Sequence, residues 1–544
     1  MASPFSPETR EANLTTLPAG EFDLLVIGGG ITGAGVARDA ALRGLRVALI
    51  ERTDFAAGTS SRSSKLIHGG VRYLQQGDIA LVRESAAERD VLGKIAPHLA
   101  LPRRMVMPTY GRGMHAKLSV GLWTFDKLTG ISADERHETW TRDETLAREP
   151  LLDGTRLYGA VVFTEYLTDD ARLVLDTVRG AHEAGAVVAN HAEATAMTRA
   201  HGVSTVTVRD ALTGESRAVV ARTVVNAGGP WVDEVRRRAG ALTGARMHLT
   251  KGVHLVVRHE RLPLQHIVVM VARDKRSVFA VPRGACTYLG TTDTDYGAPA
   301  DNPEVTAADV EYLLDAANRT FSGSPLSSYD VVASWAGLRP LLHEEGKGPS
   351  EISRKDEIMQ DAASGLISIA GGKLTTHRRM AERVVDLVAK RLGGKREPCR
   401  TDRVPLPNGE FTAEELLVLQ NTLKERLPRL GIPGAQRLVR LYGAGAVRIL
   451  ERAEAAPWSA EALPGQPEVL RAEIAHSLDE EMPLTLEDLL ERRTRLLLFD
   501  ARQGLGGAEE TASIAAARLG WDQARVMAEL DAYGRLAASL RRFA

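Results

Sequence analysis

Two cysteines, Cys286 and Cys399, are all that 544 residues contain. That is too few for a disulfide framework or a thiolate metal centre, and it suits a reducing compartment. No run of about 18 apolar residues occurs, so the sequence offers no helix that would cross a membrane, although a segment lying on one is not excluded. Residues 1–20 are polar and contain proline, without the basic start and apolar core of a secretory leader, so a cytoplasmic location is expected. Neither charge is in excess: 69 Lys and Arg face 70 Asp and Glu, a formal net charge of -1. This removes the bulk electrostatic case for nucleic acid and leaves any anion to be caught by a local cluster. Internal repeats and low-complexity tracts are also missing. What is present, 44% hydrophobic and 26% charged residues, is an ordinary folded composition, and the length points to two or three domains.

The apolar runs set out the first unit. FDLLVI at 22–27 reads as a buried strand, 28–44 as a glycine turn followed by an amphipathic helix, and RVALI at 46–50 as a second strand closed by Glu51. In GGGITG, residues 28–33, Gly28, Gly30 and Gly33 sit between strand and helix. The turn can be tight, a pyrophosphate can approach bare backbone, and the helix dipole can face it. Glu51 is placed to accept hydrogen bonds from a ribose hydroxyl, so this βαβ unit reads as a dinucleotide site.

Two further glycine turns follow strand-like segments, TVVNAGGPW at 223–231 and LISIAGGKLTT at 366–376. Turns of this kind spread over so long a stretch suit an extended cofactor met by distant segments. A second αβ pair is expected at 169–189 with Thr168 as helix cap. Strands are expected from about 247 to 293, and long helices such as 413–427 and 484–498 after Pro405. SSRSSKLIHGGVRYL, residues 60–74, fits no ordinary element, with its hydroxyls, cations and a Gly-Gly pair in one place.

GGGITGAGVARDAALRG, SSRSSKLIHGGVRYL, ARLVLDT, NAGGPWVD, TKGVHLVV, GTTDTDY, GLRPLL and GGKLTTHRRMAE together resemble the FAD-dependent glycerol-3-phosphate dehydrogenases, over roughly residues 20–395 and more loosely through the tail. The resemblance implies an α/β chain: a glutathione-reductase-like (Rossmann-type) FAD domain of the D-amino-acid-oxidase type, an inserted β-rich substrate domain and a C-terminal all-α cap. The FAD domain is expected at 20–100, 160–245 and 335–395, the substrate domain at 101–159 and 246–334, and the helical domain at 400–544. FAD would be held without a covalent bond by Gly28, Gly30, Thr32, Gly33, Glu51, Arg52, Thr59, Ser60, Ser61, Ser64, Lys65, His68, Gly69, Gly70, Ala227, Gly228, Trp231, Gly371, Gly372, Lys373, Leu374 and Thr375.

The substrate implied is glycerol 3-phosphate, a dianion that needs converging cations. Arg72, Tyr73, Thr292, Arg339, Arg354 and Lys373 are the expected contacts, with His254, Lys373 and Arg339 as catalytic groups. Histidine is the natural base near neutral pH, which favours His254, while His68 sits in a similar setting and Lys373 is the rival base. No metal site is expected. The electron acceptor implied is a membrane quinone. An oxidase passing electrons to O₂ and a non-catalytic flavin-binding protein remain open. A quinone enzyme without a span must dock by a surface, and residues 101–128, which mix Arg103, Arg104, Arg112 and Lys117 with Leu122, Trp123 and Phe125, are the candidate for contact with anionic lipid on the inner face of the cell membrane. A second copy of the chain is carried as a further candidate partner.

Overall fold

The computed structural model describes residues 4–71, 74, 77–241, 247–342, 357–393 and 397–543. Its first sheet starts from the expected apolar runs. β1 (Glu21–Ile27) and β2 (Val47–Ile50) run parallel with Leu24 opposite Val47 and Ile27 opposite Ile50. β2 is buried throughout, as a parallel strand covered on both faces should be. The helix Ile31–Leu42 crosses between them. Its sequence reads as amphipathic, yet only Thr32 and Leu42 escape burial, because the helices Asp170–Glu183 and His377–Leu392 pack against it.

β1 pairs on its other side with β10 (Ser216–Asn226), followed by β18 (Ile367–Ala370) and the edge strand β17 (Glu357–Gln360), while β2 pairs with β7 (Val187–Ala189). β18, β10, β1, β2 and β7 are parallel, and β17 is antiparallel. β8 (Ala192–Ala200) and β9 (Val203–Asp210) extend β10 as an antiparallel pair. All three glycine turns leave the carboxyl ends of the neighbouring strands β18, β10 and β1. That edge is where an open parallel sheet builds its ligand crevice.

The second sheet has β11 (Met247–Arg258) as its spine, with β16 (Val331–Leu342), β14 (Cys286–Gly290) and β15 (Thr294–Asp295) antiparallel to it. From β14 it continues through β13 (Ser277–Arg283), β12 (Ile267–Val271), β4 (Leu101–Thr109), β6 (Gly159–Leu167) and β3 (Leu66–Ile67), with β5 (Glu138–Thr141) on β6. β6 and β16 therefore lie in this sheet, although the sequence reading put 160–245 and 335–395 in the cofactor unit. The reason is pairing length: β16 follows β11 from the Met247–Leu342 pair to the Val257–Val331 pair before the chain returns to the first sheet.

The tail is mostly helical but not all-α as expected, since Ala462–Leu463 pairs antiparallel with Gln466–Leu470; its Leu489, Leu490, Leu498 and Tyr533 share one apolar cluster with Tyr288 and Trp335 of the second sheet. The helix Ala413–Arg426 forms as expected. The stretch 484–498 does not form one long helix. Asp488–Arg493 is wound wider, Arg495 is left-handed at φ 66, and only Leu496–Phe499 resumes a helix. Arg492, Arg493 and Arg495 are all buried, and the need to meet acids on other segments overrides the periodic pattern. Likewise Asp169 rather than Thr168 caps the helix Asp170–Glu183, its carboxylate accepting from Arg172 N at 3.1 Å.

Candidate functional site

The first glycine turn works as its spacing suggests, with a different task for each glycine. Gly28 has φ +110, and a β-carbon there would lie 2.6 Å from the Ala227 carbonyl oxygen. At Gly33 a β-carbon would run into the carbonyl of Gly28, so this residue lets helix pack on strand. Near Gly30 only Ser60 Oγ approaches, at 3.2 Å, leaving room in front of the helix N-terminus. Glu51 Oε2 accepts from Gly29 N at 2.6 Å and Oε1 from Thr53 N at 3.0 Å, fixing the carboxylate beside the turn. Arg52 lies 4.1 Å over the Trp231 ring and pairs with Asp301, which also accepts from Trp231 Nε1 at 3.0 Å.

The serine loop joins the two sheets. Ser60 Oγ accepts from Ile31 N at 3.0 Å, and Thr59 donates to the Leu338 carbonyl at 2.6 Å, one residue from Arg339. Ser64 Oγ lies 2.9 Å from His254 Nε2, and Tyr288 donates to the Ser64 carbonyl at 2.9 Å. Gly69 N donates to Glu165 at 3.0 Å, while the His68 carbonyl accepts from Thr375 at 3.2 Å, so the loop also meets the third glycine turn.

Lys65 and Ser61 do not line the crevice as expected; both are buried. Lys65 Nζ bonds Asp170 at 2.9 Å and the Ser61 carbonyl at 2.8 Å, and lies 5.0 Å from the Trp335 ring centre. A buried ammonium needs a carboxylate, and Asp170 provides it. Burial brings the Lys65 amine down to about 8, with Asp170 opposing and Arg495 adding repulsion.

His254 stands between Gly290 of β14 and Trp335 of β16, its ring stacked on Trp335 at 4.7 Å and 11°. It is 2% exposed. Burial first, then the charges of Lys65 and Arg339, hold its pKa well below the ordinary imidazole value, so the ring is neutral at pH 7. Its Nδ1 is buried without a hydrogen-bond partner among the described residues. Arg339 reaches Asp293 at 3.0 Å and both Thr291 Oγ1 and the Thr292 carbonyl at 3.1 Å. Gly252 leaves space for this guanidinium, since a β-carbon there would collide with it.

Thr292, expected to meet substrate, is buried with its hydroxyl oxygen accepting from Val253 N at 3.0 Å; the sheet uses it. Lys373 is half-buried after Gly371 and Gly372, whose φ values are +76 and +80. Gly228, Trp231, Thr32 and Leu374 are half-buried as well, whereas Ala227, Gly69, Gly70 and Thr375 are buried. Arg72, Tyr73 and Arg354 lie outside the described residues. A cleft of about 710 Å³ between residues 90–103 and the tail holds none of the expected catalytic or cofactor groups.

The sequence reading missed Asp170, Tyr288, Trp335 and Glu165. The adjacent acids Asp169 and Asp170 just before ARLVLDT were a usable signal, because consecutive carboxylates in an otherwise apolar helix start must find cations. The donors that stay accessible, from the open approach at Gly30 through Ser60 and Ser64 to Gly371–Lys373, fit a flavin dinucleotide: bare backbone and a helix N-terminus for its pyrophosphate, an acid for its ribose, short hydroxyls along its length.

Residues 23–386 match the family model described as FAD dependent oxidoreductase, and residues 399–526 match that of the C-terminal domain of alpha-glycerophosphate oxidase. The chain is 40% identical over 529 residues to the aerobic glycerol-3-phosphate dehydrogenase of Bacillus subtilis (strain 168), covering 95% of each chain. It is 39% identical over 520 residues to the enzyme of that name from Staphylococcus aureus (strain MRSA252), covering 93% of each. The crystal structure of the glycerol-3-phosphate dehydrogenase from Bacillus halodurans complexed with FAD superposes with a TM-score of 0.83 at 34% identity, covering 99% of both chains.

Proposed function

This chain belongs to the FAD-dependent glycerol-3-phosphate dehydrogenases, and from that premise we propose that it oxidises sn-glycerol 3-phosphate at C2 to dihydroxyacetone phosphate, with a membrane quinone as the final electron acceptor. The observation that carries the reading is the meeting of Ser64, His254 and Arg339 beside three glycine turns on one sheet edge.

Bound FAD supplies the hydride acceptor. It would be held without a covalent bond by Gly28, Gly30 and the start of the helix Ile31–Leu42 toward its pyrophosphate, by Glu51 toward its ribose, and by Gly371–Thr375 toward its ring. Arg339 offers its guanidinium to the substrate phosphate, with Lys373 as a further cation. His254 is neutral and sealed, and Ser64 is its hydrogen-bonding neighbour. The substrate hydroxyl proton therefore passes to Ser64 Oγ as the proton of Ser64 passes to His254 Nε2. Lys373 remains the alternative acceptor.

Among the described residues no helix is long and apolar enough to cross a membrane. The helix Arg112–Thr129 exposes Val120 by 64% and Trp123 by 56%, with Lys127 Nζ 6.0 Å from the Trp123 ring, a surface that supports docking on anionic lipid. The match of the tail to an alpha-glycerophosphate oxidase domain favours a second reading, in which O₂ takes the electrons. Reducing the flavin with glycerol 3-phosphate under anaerobic conditions, then reoxidising it with a soluble quinone or with O₂ while assaying peroxide, separates the two. Fast quinone reduction with little peroxide supports the dehydrogenase. Stoichiometric peroxide with sluggish quinone reduction makes it an oxidase, and no reduction at all leaves a flavin-binding protein.

A further inference from the structure

The tail run Glu491-Arg492-Arg493-Thr494-Arg495 is buried from end to end and has no part in the chemistry described so far. Arg492 Nε donates to Asp54 Oδ2 at 2.6 Å and Arg493 Nη2 to Asp54 Oδ1 at 3.0 Å, gripping the segment that leads into the serine loop. Asp54, His191 and Asp488 bring their ligand atoms within 4.8 Å of one another, and these guanidiniums balance that acidic group. Glu491 stands 3.9 Å from Arg62.

Arg495 does the most specific work. It is a non-glycine residue in the left-handed region, a conformation kept only where surroundings demand it. From there Nε donates to Asp169 Oδ2 at 3.0 Å and Nη2 to Asp170 Oδ1 at 3.2 Å. Asp170 in turn accepts from Lys65 Nζ at 2.9 Å, from Ser63 Oγ at 2.7 Å and from Ser63 N at 3.1 Å. One carboxylate thus holds the residues on both sides of Ser64. Lys65 is itself left-handed, at φ 54, and its ammonium lies 5.0 Å from the centre of the Trp335 ring, the ring on which His254 stacks. The result is a continuous chain of contacts from the tail to the Ser64–His254 pair, whose other charged neighbour is Arg339.

We propose that Arg495 is a positioning residue: through Asp170 the C-terminal helical domain fixes the loop that aims Ser64 at His254, so the tail governs substrate oxidation without touching substrate. Two buried carboxylates, Asp169 and Asp170, lie within reach of the same guanidinium. Removing it leaves them to compete for Lys65 and Arg283, which pulls on the loop. The proposal rests on the reading of Ser64 and His254 as part of the reacting centre.

The test is Arg495→Met and Arg495→Lys in the FAD-loaded protein, followed by amide hydrogen exchange and by single-turnover flavin reduction with glycerol 3-phosphate. In Arg495→Met, exchange across residues 60–67 should quicken while β1 and β10 stay protected, and the limiting reduction rate should fall by roughly tenfold to a hundredfold, as expected for the loss of a charged hydrogen-bond pair. Apparent substrate affinity should change little. Arg495→Lys, which keeps the charge but loses the two-pronged geometry, should fall between. Wild-type exchange at 60–67 overturns the proposal, and so does a wild-type reduction rate. Should the methionine variant fail to fold, the same outcomes in Arg495→Lys decide. If glycerol 3-phosphate does not reduce the wild-type flavin, the substrate reading fails and the exchange arm still decides whether Arg495 holds the loop.

Discussion

His254 and Gly290 face each other across the antiparallel strands β11 and β14, and the imidazole occupies the space that a side chain at position 290 would need. A β-carbon on residue 290 would lie 2.6 Å from Nε2 and 2.7 Å from Cγ. Gly290→Ala must therefore displace the ring from Trp335 and from Ser64. The expected result is a loss of flavin reduction of about tenfold or more, with about 1–3 kcal/mol of stability lost to overpacking and FAD still bound. Stopped-flow reduction and a urea midpoint check it; a wild-type reduction rate would mean that the ring's position is unimportant.

A second prediction concerns pH. An unperturbed imidazole would place the acidic limb of the reduction rate near ~6.5, but His254 is held well below that by burial and by Lys65 and Arg339. The neutral form is the acceptor, so the rate should stay flat down through pH 6.5 and fall only at lower pH. His254→Ala should slow reduction, leave substrate affinity nearly intact, and abolish that limb. Lys373→Ala should weaken binding along with the rate. An unaltered profile in His254→Ala would move the base to Lys373.

Arg339→Ala removes a guanidinium held by Asp293 and Thr291, the proposed partner of the substrate phosphate. It should cost roughly 1.5–3 kcal/mol in transition-state stabilisation, about one to two decades in kcat/KM, and leave FAD retention unchanged. Unchanged kinetics with glycerol 3-phosphate would take Arg339 out of the site.

Stability should fall on mild acidification. His254, His377 and His476 are buried with depressed pKa values, His377 down to about 4 and His476 to about 3, in each case mainly through burial. The unfolded chain takes up these protons near ~6.5 and the folded chain does not, so stability drops as pH falls below that value. His191 is raised, chiefly because Asp488 outweighs its burial, and works in the opposite sense. The net loss between pH 7 and 5.5 should be on the order of 1–3 kcal/mol, read from urea midpoints. A flat midpoint over that range contradicts the burial of these rings as neutral groups.

The backbone of the cofactor edge was legible because its signals are local. FDLLVI, GGGITG and RVALI each encode strand, turn and strand within a few residues, and Gly28 and Gly33 are used as their spacing suggested. Arg339 was legible only through a motif, since a lone arginine in a strand carries no signal of its own. The inward turn of Lys65 and Thr292 could not be read, because each depends on a partner far along the chain: Asp170 for the first, the backbone of Val253 for the second. The 484–498 stretch misled for the same reason. Its period is helical, but Arg492, Arg493 and Arg495 answer to Asp54, Asp169 and Asp170, hundreds of residues away.

The central claim is that this sheet edge oxidises glycerol 3-phosphate with its own flavin. The most direct measurement is the visible spectrum of the purified FAD-loaded protein, titrated with sn-glycerol 3-phosphate in the absence of oxygen. The account predicts stoichiometric bleaching of the flavin band with one dihydroxyacetone phosphate formed per flavin, and no bleaching with glycerol at the same concentration. A flavin that stays yellow under saturating glycerol 3-phosphate, in protein shown by dithionite to be reducible, would contradict it.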